Sequence, residues 1–124
     1  MGKLNPTLST HDHLVTLTAR AMQEGGMTGI KAAHIPTYVQ PEQIDGYIPD
    51  LTGSLRGMLC IAECESRDGL TLAHTVTQWR TFYNYAVRVG GYFIAVVAQT
   101  CEAEARLLLQ SVAGDGQNAQ VWTF

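Results

Sequence analysis

The sequence predicts an α/β domain: a central mixed β-sheet flanked by helices, in the order αβββαβαβ. Three observations carry this. Residues 71–89 place apolar side chains at helical spacing. They follow an alternating apolar segment at 58–66 and precede a nearly unbroken apolar run at 92–97. A strand, a helix and a second strand in succession make a parallel pair, and the unbroken run suits a strand covered on both faces.

The elements follow in order. Residues 1–8 show no periodicity and read as an arm. Ser9 or Thr10 can cap a first helix, because a short side-chain oxygen accepts an otherwise unpaired N–H. Leu14, Leu17, Ala21 and Met22 then recur at three- and four-residue intervals, and Gly25-Gly26 ends the helix. Residues 30–35 read as a first strand, and 37–46, rich in turn formers, as a loop or ragged hairpin arm. Residues 47–52 form a second strand entered through Pro49, and 53–57 a turn. Across 58–66, Leu59, Ile61, Glu63 and Glu65 share one face, and Cys60, Ala62 and Cys64 the other. After a turn at 66–69, the long helix buries Leu72, Val76, Trp79, Tyr83 and Ala86. His74, Gln78, Thr81 and Tyr85 lie on a stripe beside them. Gly90-Gly91 stops it. Residues 102–112 form a last amphipathic helix and 119–124 a closing strand.

The 124 residues are 46% apolar and 15% charged, which is the composition of one folded domain spanning 1–124. No secretory signal is expected at the start, and the longest apolar stretch, 90–98, is too short to cross a bilayer. A cytoplasmic protein without a membrane partner is the expectation. Three cysteines make an odd number, and Cys60 and Cys64 on one strand would stand roughly 13 Å apart, beyond a disulfide's reach. All three read as buried fillers. The net charge of −3, from 8 Lys and Arg against 11 Asp and Glu, argues against a free-standing nucleic-acid binder. It is compatible with carboxylates gathered for a cation.

Chemistry concentrates in the middle of the chain. Glu63 and Glu65 lie on the same face of an apolar strand, where a carboxylate is costly unless paired or bound to metal. If the strands form a meander, Asp50 joins them. Crowded acids repel, and a hard divalent cation is the usual means of keeping them ionised. Oxygen donors favour Mg²⁺ or Mn²⁺ over Zn²⁺. The plainer readings are an Asp50 that serves a turn, a solvated Glu63–Glu65 face, and surface positions for His74 and Gln78. His11 and His13, two apart at a helix start, diverge by about 200° and read as surface. His34 reads as a core or rim residue, and Trp79, Phe82 and Tyr83 as core.

Pro49-Asp50, then Glu63-Cys64-Glu65, then a helix carrying Gln78 resemble the Pro-Asp…(Asp/Glu)-x-Lys motif of the restriction-endonuclease-like nuclease superfamily. The resemblance covers roughly residues 10–98, with its motif positions in 48–80. It implies a three-layer core with Asp50 and Glu63 as Mg²⁺ or Mn²⁺ ligands; Glu65, on the same strand face, is the third carboxylate expected to bind the metal. The Cys64 carbonyl is a further ligand by the same resemblance, and Gln78 sits near the scissile phosphate. Where the family carries lysine this chain has Glu65, a reversal of charge where a cation normally holds the nucleophile. Arg67 can reach back if the strand extends that far, and His74 can act as base or ligand. Two functions follow as expectations. One is a divalent-metal-dependent nuclease, or nuclease relative, acting on DNA phosphodiesters. The other is an inactive binding or assembly module of a mobile-element or DNA-processing system. A partner protein supplying DNA recognition, or a homodimer presenting two sites, suits either.

Overall fold

The structure is a computed structural model and describes residues 10–124, so the expected arm and the Ser9 cap lie outside the described residues. Helix α1 (Thr10–Glu24) is followed by β1 (Thr28–Ala32), β2 (Leu51–Leu55) and β3 (Met58–Cys64). Then come α2 (Ala73–Val89), β4 (Tyr92–Val97), α3 (Glu102–Ala113) and β5 (Ala119–Thr123). The five strands form one sheet in chain order. β1, β2 and β3 are antiparallel neighbours, whereas β3–β4 and β4–β5 are parallel, so the sheet is mixed. Consecutive parallel strands need crossovers, and α2 and α3 supply them. Among the described residues no helix is long and apolar enough to cross a membrane.

Strand alternation sorts the core into two layers. Cys60, Ala62, Cys64, Ile94 and Val96 pack against α1 through Leu14, Val15, Ala19 and Met22. Ile61, Phe93, Ala95 and Val97 pack on the opposite face against Trp79, Phe82 and Ala86 of α2 and Ala105 and Leu109 of α3. β4 is buried on both sides, as its unbroken apolar run requires. The three cysteines are buried and free.

Several boundaries differ from the sequence expectation, each for a physical reason. The β2–β3 turn is two residues, Arg56 and Gly57, both at positive φ (52° and 82°), which suits a tight hairpin whose twist matches its strands. Gly53 therefore lies inside β2. A Cβ there would meet the Met22 side chain at 2.9 Å, so this glycine permits close packing of α1 and does not mark a turn. β2 consequently begins at Leu51 and not at 47. β1 occupies 28–32 instead of 30–35, and its pairing slips between Thr28 and Lys31. His34, expected in the core or at its rim, is exposed in the following turn at φ 63°, its N–H donated to Gln40.

The helix stripes also rotate. α1 buries Leu14, Val15, Thr18, Ala19 and Met22, with Leu17 and Ala21 only half-buried. Thr18 is tolerated inside because its hydroxyl donates to the Leu14 carbonyl at 2.6 Å. α2 starts after a 3₁₀ turn at Gly69–Thr71 and buries Thr75, Trp79, Phe82 and Ala86. Leu72 is 52% exposed, because the chain is still turning there. Trp79 stands edge-on to Phe93, with centroids 5.8 Å apart, and its Nε1 has no hydrogen-bond partner among the described residues. Gly90 ends α2 in the left-handed conformation and returns its N–H to the last helical carbonyls.

The next residue, Gly91, sits where any Cβ would collide with the Leu59 carbonyl. Backbone cannot swing aside as a side chain can. Gly91→Ala is expected to cost about 2–3 kcal/mol of unfolding free energy, as overpacking of a tight site does. Urea denaturation followed by circular dichroism measures it.

Candidate functional site

A strand pair that ends against proline must place its remaining hydrogen bonds elsewhere, since proline has no N–H to donate. Pro49 is buried just before β2, and the pairing of Leu51 with Ala62 sets Asp50 opposite Glu63. Here side chains take over from the ladder. The Asp50 N–H donates to Glu63 Oε1 at 2.7 Å, and the Cys64 N–H donates to Asp50 Oδ2 at 2.8 Å. The Asp50 carbonyl accepts from the Ala33 N–H at 2.8 Å. Each acid thus serves the other residue's strand as an acceptor, and the two are locked in a crossed pair. Cys64, whose carbonyl the resemblance offers as a ligand, contributes its N–H.

Glu63 is 4% exposed, and burial is the main force pushing its carboxyl well above the ordinary carboxylate range. The charge of Asp50 pushes the same way, as does Glu65, while the Asp50 N–H opposes them. Glu65 is half-buried on the same side, and its N–H continues the ladder to the Val96 carbonyl at 2.9 Å. Its carboxylate accepts from the Ser66 N–H at 3.3 Å and the Thr75 hydroxyl at 3.5 Å. Gly69 makes room for it, since a Cβ there would overlap the Glu65 carboxylate. Burial again raises this group's pKa most, with Asp50 adding to it and His11 opposing it.

His11 was expected on the surface. It lies one turn before Leu14 and Val15 on the buried stripe of α1, and its Nε2 stands 3.1 Å from Asp50 Oδ2. The other ring nitrogen, Nδ1, is 3.3 Å from Asp12 Oδ1. The hydrogen bond to Asp50 raises the imidazole pKa to about 9, against a smaller opposing effect of burial. The signal available in the sequence was the 11–14–15–18–22 spacing, which places residue 11 at the head of the stripe.

The remaining candidates separate from this group. Arg67 does not reach back to Glu65: β3 ends at Cys64, and the guanidinium pairs with Glu104 and donates to the Thr100 carbonyl at 3.0 Å. His74 is exposed, and Thr75, fully buried beside it, is the residue of α2 that faces Glu65. Gln78 is half-buried three residues further along, at the edge of the buried stripe. Among the described residues no group of three His, Cys, Asp or Glu side chains is placed to hold a metal ion. No family model matches the chain, nor does any curated protein or solved structure.

Two outcomes follow from these electrostatics. The folded-state pKa of His11, about 9, lies above the unfolded 6.5, so its stabilisation is complete below pH 6.5 and lost as pH rises through 9. With the side chain 35% exposed, solvent limits this to about 1 kcal/mol or less. Melting temperature should therefore fall between pH 6.5 and 9.5 in the wild type and change less in His11→Gln. Glu63 is raised as well, so its ionisation at neutral pH opposes folding. Glu63→Gln keeps the acceptor for the Asp50 N–H and should raise the melting temperature at pH 7 by a few degrees in calorimetry.

Proposed function

We propose that this domain is a relative of the restriction-endonuclease-like nucleases that binds a divalent cation and acts on phosphodiesters. The observation that carries the reading is the crossed Asp50–Glu63 pair at the end of β2 and β3, with a third acid, Glu65, on the same side. The donors suit Mg²⁺ or Mn²⁺ in chemistry, being carboxylates. Their present arrangement is one in which Glu65 faces Thr75 and His11 faces Asp50. Bringing Glu65 to the pair requires its side chain to leave the Gly69 turn.

In this reading the bound cation supplies Lewis acidity to the phosphodiester. The chain's own residues hold and orient. The Cys64 N–H fixes Asp50, and the Asp50 N–H fixes Glu63 in its buried position. Glu65 stands where the related nucleases carry lysine, and there it withholds the positive charge that would offset an anionic substrate. Gln78, at the flank of α2, is the neutral side chain available to a phosphate oxygen.

A second reading, an inactive nuclease-fold module that binds or assembles, draws on Glu65 and on the distribution of cations. Lys31, Arg67, Arg88 and Arg106 are each engaged with an acid, which offsets part of the positive charge that a nucleic-acid backbone would meet. DNA recognition would then fall to a partner protein or to a second copy of the chain.

Two experiments test the pair of readings. Millimolar Mg²⁺ or Mn²⁺ should raise the melting temperature of the wild type by preferential binding to the folded state, and Glu63→Gln should abolish the response. Wild type and Glu65→Lys should then be compared on supercoiled and branched DNA with Mn²⁺. Cleavage rising at least about tenfold in the lysine variant marks a nuclease weakened by its acid, since removing one repulsive charge pair near 4 Å is worth roughly 4 kcal/mol at an effective dielectric near 20. No cation response and no cleavage by either protein would leave the binding module.

A further inference from the structure

We propose that the outer edge of β5 is a self-association surface, on which a second copy of this chain pairs antiparallel and joins the two sheets through their last strands. The proposal is independent of the cation reading, because the acids lie on the β2–β3 pair and β4 separates them from β5.

The two edges of the sheet are built differently. β1 carries Lys31, and its pairing slips between Thr28 and Lys31. The chain then returns over it, where the Ala32 N–H donates to the Val39 carbonyl at 3.0 Å. Charge, irregular pairing and a covering loop are the ordinary guards of an exposed edge. β5 has none of them. Residues 117–124 carry no charged side chain, no proline and no glycine, and among the described residues β5 pairs with β4 alone.

The backbone groups of β5 alternate in direction. The Asn118 carbonyl accepts from the Phe93 N–H at 2.8 Å, and the Phe124 carbonyl from the Gln99 N–H at 2.9 Å. The Phe124 N–H donates to the Val97 carbonyl at 3.3 Å. Even-numbered residues therefore face β4, and Ala119, Val121 and Thr123 turn their N–H and C=O groups to the open edge. These positions are symmetric about Val121. A two-fold axis there sets Val121 against its own counterpart and Ala119 against the counterpart of Thr123. Each such pair then exchanges both of its N–H···O bonds.

The side chains suit the same register. On the face packed against α3, Val121 meets Val121, a β-branched cross-strand pair, and small Ala119 meets Thr123. On the α1 face Gln120 meets Trp122. A charge at position 121 would meet itself across the axis, and the strand places none there or at its neighbours. A basic or acidic partner strand would find no counter-charge on this edge, whereas a second copy brings nothing that must be repelled or desolvated. The axis is perpendicular to the sheet, so equivalent helices lie on the same side and the two acid pairs fall at opposite ends of the joined sheet.

Sedimentation of the whole chain reads its mass, and amide hydrogen exchange by NMR reads the edge. The wild type should pass from monomer to dimer as concentration rises through the micromolar range. Exchange at Ala119, Val121 and Thr123 should slow at least about tenfold over that range, while Gln120 and Trp122, already facing β4, keep their protection. Val121→Pro removes an outward N–H and no bond to β4, so it should fold and stay monomeric. The alternating wild-type exchange needs no variant and decides the case even if proline loosens the strand. Monomers at every concentration, or a dimer whose edge amides exchange as in the monomer, would overturn the proposal. The first result would leave the edge to an extended segment of another protein.

Discussion

Glu63 is the constraint around which this end of the molecule is arranged. A carboxyl almost wholly removed from water needs a donor, a proton or a cation. The Asp50 N–H is the donor available, because Pro49 ends the pairing before it and leaves that N–H facing the side chain of the opposite strand. The Asp50 carboxylate then closes the cross on the Cys64 N–H. A hairpin end that would otherwise fray is held by two acids, and their mutual repulsion is the cost of that hold.

The surroundings limit that repulsion without removing it. Glu65 turns toward Ser66 and Thr75, in space that Gly69 leaves by lacking a side chain. His11 brings positive charge to the open side of Asp50. Arg67, two residues beyond Glu65, is held by Glu104 and by the carbonyl of Thr100 beyond the end of β4. The compensating charge therefore comes from the α1 side of the sheet, while Glu65 and Thr75 meet on the α2 side. Both layers of the fold meet at the same strand ends.

That convergence depends on packing beyond the carboxylates themselves. Gly53 lets Met22 approach β2, and Thr18 contacts Cys64 with its hydroxyl 3.6 Å from the thiol. These contacts set the rotation of α1 and so the direction of His11. On the other face, Trp79 against Phe93 and Ala86 against the sheet fix α2, which settles that Thr75 and not His74 meets Glu65. The site is decided by which helical stripe is buried, and a shift of one residue in either stripe would present a different side chain.

Much of the architecture was legible in the sequence alone. The alternation at 58–66, of which β3 takes Met58–Cys64, the apolar run at 92–97 and the glycine pair after Val89 determine β3, β4 and the end of α2 through local backbone geometry. The side-by-side placing of Glu63 and Glu65 follows from the strand period of two, and the nearness of Asp50 from a meander. What the sequence did not decide were features set by neighbours distant along the chain. Gly53 looks like a turn residue until Met22 occupies the space above it. Arg67 looks available until Glu104 and Thr100 claim it. His11 looks exposed because periodicity gives a helix's apolar stripe only to within a residue or two, and its direction is fixed by what the helix packs against. Local periodicity determines which residues share a face. Only tertiary packing decides which faces meet, because that choice is made by excluded volume and burial summed over the whole core.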